Sequence, residues 1–356
     1  MTMNGMVLMM TDCAAARHNL LVDTNGEVHI CCNNITRLDH DDLGSALTGL
    51  QASRIRHEIE SGAKPRDCGR CWQEEQNVGR SYRLDYIDIY PHLNDKEVGL
   101  KTLHLQADNT CNLACIYCGP GYSSRWQQIL GHRAGERKIP VLTDSDLMKL
   151  EMLTLAGGEP SLVKSNVALL QRMLAMNSSC EIVINTNLTT YENNPFWDLV
   201  KQFANVKVIV SFESVGERYE YIRYPAQWSV VESNWYRVTG DFERVEASMI
   251  LFPLTAWAIK EAIDFASRRI SQDSILINTY FGNVFSWGDL AKSRLDYLRQ
   301  DLVQYSQQQS PRLREQLMEF THNMYSDSDI TRMPSVEALD RQRGTRHQDI
   351  FGELYE

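Results

Sequence analysis

The chain has 356 residues, 43% of them hydrophobic, a formal net charge of −10 and nine cysteines. That composition supplies a core for one large or two unequal domains, and no run of about eighteen apolar residues offers a transmembrane helix. The acidic balance disfavours non-specific nucleic-acid binding, which needs a basic surplus to neutralise phosphate. Cysteines at C-x2-C spacing point to metal in a reducing cytoplasm rather than to secreted disulfides. The apolar segment Met1 to Met10 lacks a basic leader and a small-residue cleavage site, so no signal peptide is read there.

In chain order, the first hundred residues predict short strands and turns. Leu20–Asp23 and Glu27–Cys31 flank Thr24-Asn25-Gly26, a hairpin signal. Arg54, Arg56, Lys64, Arg66, Arg70, Arg80 and Arg83 crowd one stretch, but Glu58, Glu60, Asp67, Glu74 and Glu75 interrupt it, as on a solvated face. Five cysteines lie here: Cys13, the pair Cys31-Cys32, and Cys68-Gly-Arg-Cys71. Four of them would satisfy one metal, and from spacing alone a zinc ribbon and an iron–sulfur site stand level.

From Lys101 onward apolar strands alternate with amphipathic helices, the pattern of parallel βα units. The strands are Lys101–Gln106, Met152–Ala156, Glu181–Thr186, Val206–Phe212, Arg244–Phe252 and Ser274–Tyr280. Helices are expected at Tyr122–His132, Val163–Asn177, Pro195–Ala204, Trp228–Thr239 and Thr255–Arg268, with a further helix start at Asp144-Ser-Asp146. Six repeats are too few for the usual barrel of about eight strands. The fold class is therefore α/β, a partial (β/α)6 barrel behind a small Cys-rich N-terminal module. The domains are expected at 1–95, 96–288 and 289–356, the last a polar, Gln-rich helical cap with no site of its own.

The loop after the first of these strands carries Cys111-Asn-Leu-Ala-Cys115-Ile-Tyr-Cys118, C-x3-C-x2-C, followed by Gly119-Pro120-Gly121. Three thiolates on one loop suit zinc or an iron–sulfur cluster with one metal atom lacking a protein ligand. This motif resembles that of the radical S-adenosylmethionine superfamily. The resemblance implies a 4Fe–4S cluster whose open iron binds S-adenosyl-L-methionine and whose electron cleaves it to methionine and a 5′-deoxyadenosyl radical. It also implies cofactor contacts. Tyr117 would pack beside adenine. Gly157-Gly158-Glu159-Pro160 would bring carbonyls and Glu159 to the methionine ammonium. Asn185 and Asn187 would reach ribose or carboxylate, as would Ser211, two residues before Glu213. Glu213 replaces the aspartate often found there and could turn toward substrate. Arg223, within Gly216-Glu-Arg-Tyr-Glu-Tyr-Ile-Arg223-Tyr-Pro225, would pair with the methionine carboxylate. Asn278 faces the same cleft, and Cys180 reads as a buried structural thiol.

The N-terminal cysteines, with Asp23-Thr-Asn-Gly-Glu-Val-His-Ile-Cys31-Cys32 and Cys68-Gly-Arg-Cys71-Trp-Gln-Glu-Glu75, resemble the auxiliary-cluster half-domain of the SPASM or twitch type, here placed before the barrel. That implies an auxiliary 4Fe–4S cluster on Cys13, Cys32, Cys68 and Cys71, with Cys31 the alternative to Cys32. Leu339-Asp-Arg-Gln-Arg343-Gly344 resembles the closing signature of the same subfamily. The resemblance implies a flavodoxin or ferredoxin electron donor and hydrogen abstraction from a peptide or protein, with oxidation or crosslinking as the outcome. A small-molecule substrate such as a sugar, cyclitol or nucleoside is the alternative. No leader-binding segment is visible before the barrel, which leaves room for a separate peptide-recognition protein. A zinc-ribbon interaction protein is the reading from a different class.

Overall fold

The computed structural model describes residues 12–93, 96–106, 108–132, 139–279, 292–323 and 336–352. The expectations for Met1–Met10, for Tyr280 and for the domain boundary at 288 fall outside the described residues. Two compact units make up the chain. One is Met1–Thr110, Arg133–Ile184 and Pro195–Val206; the other is Cys111–His132, Asn185–Asn194 and Lys207–Glu356. The expected boundary at 95 lies inside the first unit.

The protein is α/β, and its described residues form eight strands in mostly parallel pairings. In the first unit, β1 (Asn19–Val22) turns back into β2 (Val28–His29), antiparallel, through the expected hairpin, with Gly26 at φ 84°. β1 also pairs in parallel with β3 (Thr102–Leu105), and β3 with β4 (Met152–Leu155), which pairs with β5 (Glu181–Thr186). Along these strands Leu20, Val22, Leu103, Leu105, Leu153, Leu155, Ile182 and Ile184 alternate onto one buried face. In the second unit β6 (Val206–Ser211), β7 (Arg244–Leu251) and β8 (Ile275–Thr279) run parallel. All six strands read from periodicity are present. The helix expected over 255–268 is two pieces, Pro253–Ala256 and Ile259–Ser267.

The N-terminal hundred residues differ from expectation: helices Leu43–Thr48, Leu50–Glu60, Gly69–Val78 and Tyr82–Ile89 dominate them. Helix Leu50–Glu60 buries Ala52, Ile55, Arg56 and Ile59, the spacing of one helical face, among a majority of polar side chains. Helix Gly69–Val78 ends at Gly79, whose φ of 73° suits a left-handed C-cap. This segment is tied to β3 by polar contacts: Thr102 Oγ1 donates to Asn19 Oδ1 at 2.8 Å and lies 2.6 Å from the Tyr86 hydroxyl. The cluster of arginines is paired internally. Arg54 meets Glu58 and Asp67, Arg70 meets Glu74, Arg80 meets Asp85, and Arg83 meets Glu75, while Arg56 turns inward to the Ala16 and Leu47 carbonyls.

The end of β6 is fixed by aromatic packing. Phe212 meets Trp235 edge-on with ring centroids 5.2 Å apart, and Phe265 at 5.9 Å; Trp228 closes on Phe265 at 5.0 Å. Trp235 is fully buried, so Trp235→Ala should remove about 3–5 kcal/mol by leaving a cavity beside Phe212. Urea unfolding followed by circular dichroism tests this, and an unchanged midpoint would contradict the packing role.

Candidate functional site

The cysteine loop is clamped by the helix that follows it. Ser123 caps helix Ser124–Leu130 by accepting from Trp126 N–H, and its hydroxyl donates to the Leu113 carbonyl at 2.5 Å. Ser124 Oγ accepts from Cys111 N–H at 3.1 Å, and buried Trp126 donates its indole N–H to the Cys115 carbonyl at 2.9 Å. From the other side, Ala114 and Ile116 donate backbone N–H groups to the Tyr224 and Ile222 carbonyls at 2.6 and 2.9 Å. Cys111 Sγ accepts from Leu113 N–H at 3.5 Å and from Asn187 Nδ2 at 3.8 Å. Cys115 is buried, while Cys111 and Cys118 are half-buried. Burial pushes the Cys115 thiol up and the Cys118 thiol to about 12. Both are uncharged at neutral pH unless a cation offsets the desolvation of the thiolate.

Asn187 serves the loop on several sides. Its Oδ1 accepts from Thr189 N and Oγ1 at 3.0 and 2.6 Å, and its Nδ2 reaches Asn112 Oδ1 at 3.2 Å besides the sulphur. Leu188 follows with φ of 55°, a left-handed conformation that a leucine rarely adopts. It is held by Thr186 Oγ1, which accepts from Leu188 N–H at 2.9 Å, and by Asn234, which donates to the Leu188 carbonyl at 3.0 Å. Asn234 was not singled out from sequence, because its role depends on a partner 46 positions away. Asn185 is half-buried at the end of β5.

Glu213 and Arg223 face each other. Arg223 donates through Nε and Nη2 to the two carboxylate oxygens at 2.6 and 3.2 Å, and both side chains are buried. Burial works against the guanidinium charge, but Glu213, Tyr117 and Cys115 hold its pKa well above the usual range. Tyr117 lies under Arg223 at 5.5 Å from the ring centroid and packs edge-on to Phe252 at 5.8 Å; burial and Glu213 push its phenol up. At the strand ends, Ser211 sits in register with Ser248, whose hydroxyl accepts from Asn278 Nδ2 at 3.1 Å.

The C-terminal segment, expected as a flank cap without a site, reaches the cysteine loop. Helix Val336–Arg343 ends before Gly344 at φ 67°, and Arg343 donates to the Tyr221 and Ala114 carbonyls at 2.9 and 2.8 Å while stacking on Tyr224. Asp340 anchors it, accepting from Tyr221 and Thr345 hydroxyls and from His347 N–H.

In the first unit, Gly157 and Gly158 let the chain touch its own backbone. Gly157 has φ of 107°, and a Cβ on Gly158 would stand 2.7 Å from the Asn109 carbonyl carbon and overlap the Thr110 carbonyl. The backbone N–H groups of Gly158 and Glu159 donate to the Asp108 and Thr110 carbonyls at 2.9 and 2.7 Å, fixing the residues that lead into Cys111. The Glu159 carboxylate is buried and accepts from Ser161 N–H and Oγ at 3.2 and 2.6 Å.

Also in the first unit, a cavity of about 370 Å3, including its mouth, is lined by Cys13, Cys31, Cys68 and Cys71. Cys32 is exposed and does not line it. The preference from sequence was for Cys32; both residues lie in the bend and turn beyond β2, where Cys31 is buried on the cavity wall and Cys32 is exposed. Burial pushes Cys13 to about 12 and Cys31 well above the usual thiol range. Four thiols lining one cavity suit a soft metal, a zinc ion or an iron–sulfur cluster. Cys180 is buried and its S–H points to the Glu181 carbonyl, as a structural thiol does.

No protein-family description matches the chain, and no curated protein does. Solved structures resemble it. Native anSMEcpe with bound AdoMet and Kp18Cys peptide overlaps 58% of this chain and 60% of its own, at 14% identity and a TM-score of 0.42. Streptococcus suis SuiB overlaps 80% of this chain and 65% of its own, at 12% identity and a TM-score of 0.42. SuiB bound to precursor peptide SuiA gives 72%, 59%, 14% and 0.41 in the same order. The chain thus spans about 60% of the length of the first of these. No helix among the described residues is long and apolar enough to cross a membrane.

Two outcomes follow for the second unit. Glu213→Gln should destabilise the protein by about 3–5 kcal/mol, because it leaves a buried guanidinium without its counter-charge; an unaltered urea midpoint would mean the pair contributes little. Arg343→Ala should leave the unfolding midpoint within about 1–2 kcal/mol but loosen the loop. Hydrogen exchange at the Ala114 and Ile116 amides would then quicken, and unchanged exchange would count against the clamp.

Proposed function

We propose that this chain is a radical S-adenosylmethionine enzyme carrying a second iron–sulfur centre. The observation that bears most of the weight is the rigid loop presenting Cys111, Cys115 and Cys118, buried or half-buried thiols at C-x3-C-x2-C spacing, held by Ser123, Ser124, Trp126 and the Tyr224 segment. On this reading those three cysteines hold a 4Fe–4S cluster through three irons and leave one for S-adenosylmethionine. When bound, that group supplies the electron that splits the sulfonium and yields a 5′-deoxyadenosyl radical able to take a hydrogen atom.

The chain's own residues orient and enclose. Asn187 keeps an amide donor on Cys111, which favours the thiolate form. Tyr117, Asn185, Ser211 and Asn278 are the side chains we assign to cofactor or substrate. Glu213 and Arg223 act by holding the loop instead. The carbonyls of Gly157 and Gly158 are the groups assigned to the methionine ammonium. An auxiliary 4Fe–4S cluster is assigned to Cys13, Cys31, Cys68 and Cys71. A flavodoxin or ferredoxin would deliver the electron, and a peptide or protein is the substrate class carried forward from the family resemblance, with oxidation or crosslinking as the outcome.

Anaerobic reconstitution should give a brown protein with about eight irons per chain, the content of two tetranuclear clusters. Replacing Cys111, Cys115 and Cys118 together by Ala should halve the iron and abolish 5′-deoxyadenosine formation from S-adenosylmethionine and dithionite. Deoxyadenosine at the wild-type rate in that variant would sink the proposal, and a colourless zinc protein would favour the zinc-ribbon reading.

A further inference from the structure

The N-terminal cavity holds more than its four sulphurs. Asn33 and Asn34 follow the Cys31-Cys32 pair, and both side chains are buried. Asn33 Nδ2 donates to Cys71 Sγ at 3.5 Å, and Asn34 Nδ2 donates to Cys68 Sγ at 3.5 Å. Two adjacent amides therefore address the two sulphurs of the C-x2-C turn. Asn34 is fixed by its own N–H, which donates to the Cys31 carbonyl at 3.2 Å, and by a further donation from Nδ2 to the Asp67 carbonyl at 3.5 Å. Beside Tyr82 and Arg83, the remaining lining is apolar at Ala16, Ile30, Ile55, Ile59 and Trp72. The one guanidinium there, Arg83, is neutralised by Glu75 through two hydrogen bonds of 2.9 and 2.7 Å and stacks on Trp72 at 4.8 Å.

We propose that Asn33 and Asn34 are positioning residues that set the reduction potential of the N-terminal iron–sulfur centre by donating to Cys71 and Cys68. This rests on the reading that the site holds such a centre. An added electron raises the negative charge on the thiolates, so an N–H···S donor stabilises the reduced form more than the oxidised form. In an apolar cavity, where the local dielectric is low, each donor acts more strongly than it would in water. The asparagines therefore raise the potential, and removing either lowers it. The same two bonds orient the sulphurs before metal arrives.

The test uses the full chain carrying Cys111→Ala, Cys115→Ala and Cys118→Ala, anaerobically reconstituted, so that only the N-terminal centre titrates. Its midpoint is read by redox titration followed by electron paramagnetic resonance. Asn33→Leu and Asn34→Leu should each shift the oxidised-to-reduced ratio at the parent midpoint about tenfold toward oxidised, which is about 59 mV for one electron. Asn33→Gln, which keeps a donor, should recover most of the shift. Iron lost from a Leu variant but retained by the Gln variant also supports the assignment. A parent-like midpoint with full iron in both Leu variants overturns it, as does equal iron loss from Leu and Gln variants. Zinc in place of iron in the parent chain would instead defeat the reading of the centre, and metal analysis reveals that before any asparagine is changed.

Discussion

Two charges buried together, Glu213 and Arg223, carry a desolvation cost that their bidentate contact chiefly offsets, so neither can turn away without leaving the other stranded. That constraint locks the end of β6 to the segment that follows helix Gly216–Ile222. From the locked segment, the carbonyls of Ile222 and Tyr224 receive the N–H groups of Ile116 and Ala114 between the cysteines. Tyr117 rests against the same guanidinium, and Arg343 ties the Ala114 carbonyl to the Tyr221 carbonyl. The loop's geometry is thus inherited from an ion pair that lies outside the cysteine motif.

Much of this was readable in the amino-acid order, and the parts that were not share a cause. Strands and helices beyond Lys101 announce themselves because burial alternates with period two or nearly four along contiguous residues. The cysteine triplet is likewise local. What depends on partners elsewhere in the fold was not read: nothing around Arg223 in the sequence names Glu213 as its buried counter-charge. The helices of the first hundred residues were hidden by composition, as Leu50–Glu60 sets few apolar residues among arginines and glutamates. Cys32 was preferred to Cys31 on resemblance alone, because adjacent residues in a turn differ only in which way they face, and the order of amino acids does not set that.

The two cysteine sets are built for different tasks. The triplet sits on a loop braced by polar side chains and backbone, with Cys111 and Cys118 reachable from solvent. The N-terminal set lines a largely apolar cavity, with its one cation paired and its sulphurs addressed by amides.

The contact of Gly158 with the Thr110 carbonyl has an evolutionary consequence. A methyl group at that position collides with backbone, not with a side chain that could swing aside, so drift there is closed as long as the loop keeps its course. Gly157 is closed too, by its φ of 107°. Diverged descendants of this protein should therefore keep Gly157 and Gly158 whatever else in the chain changes.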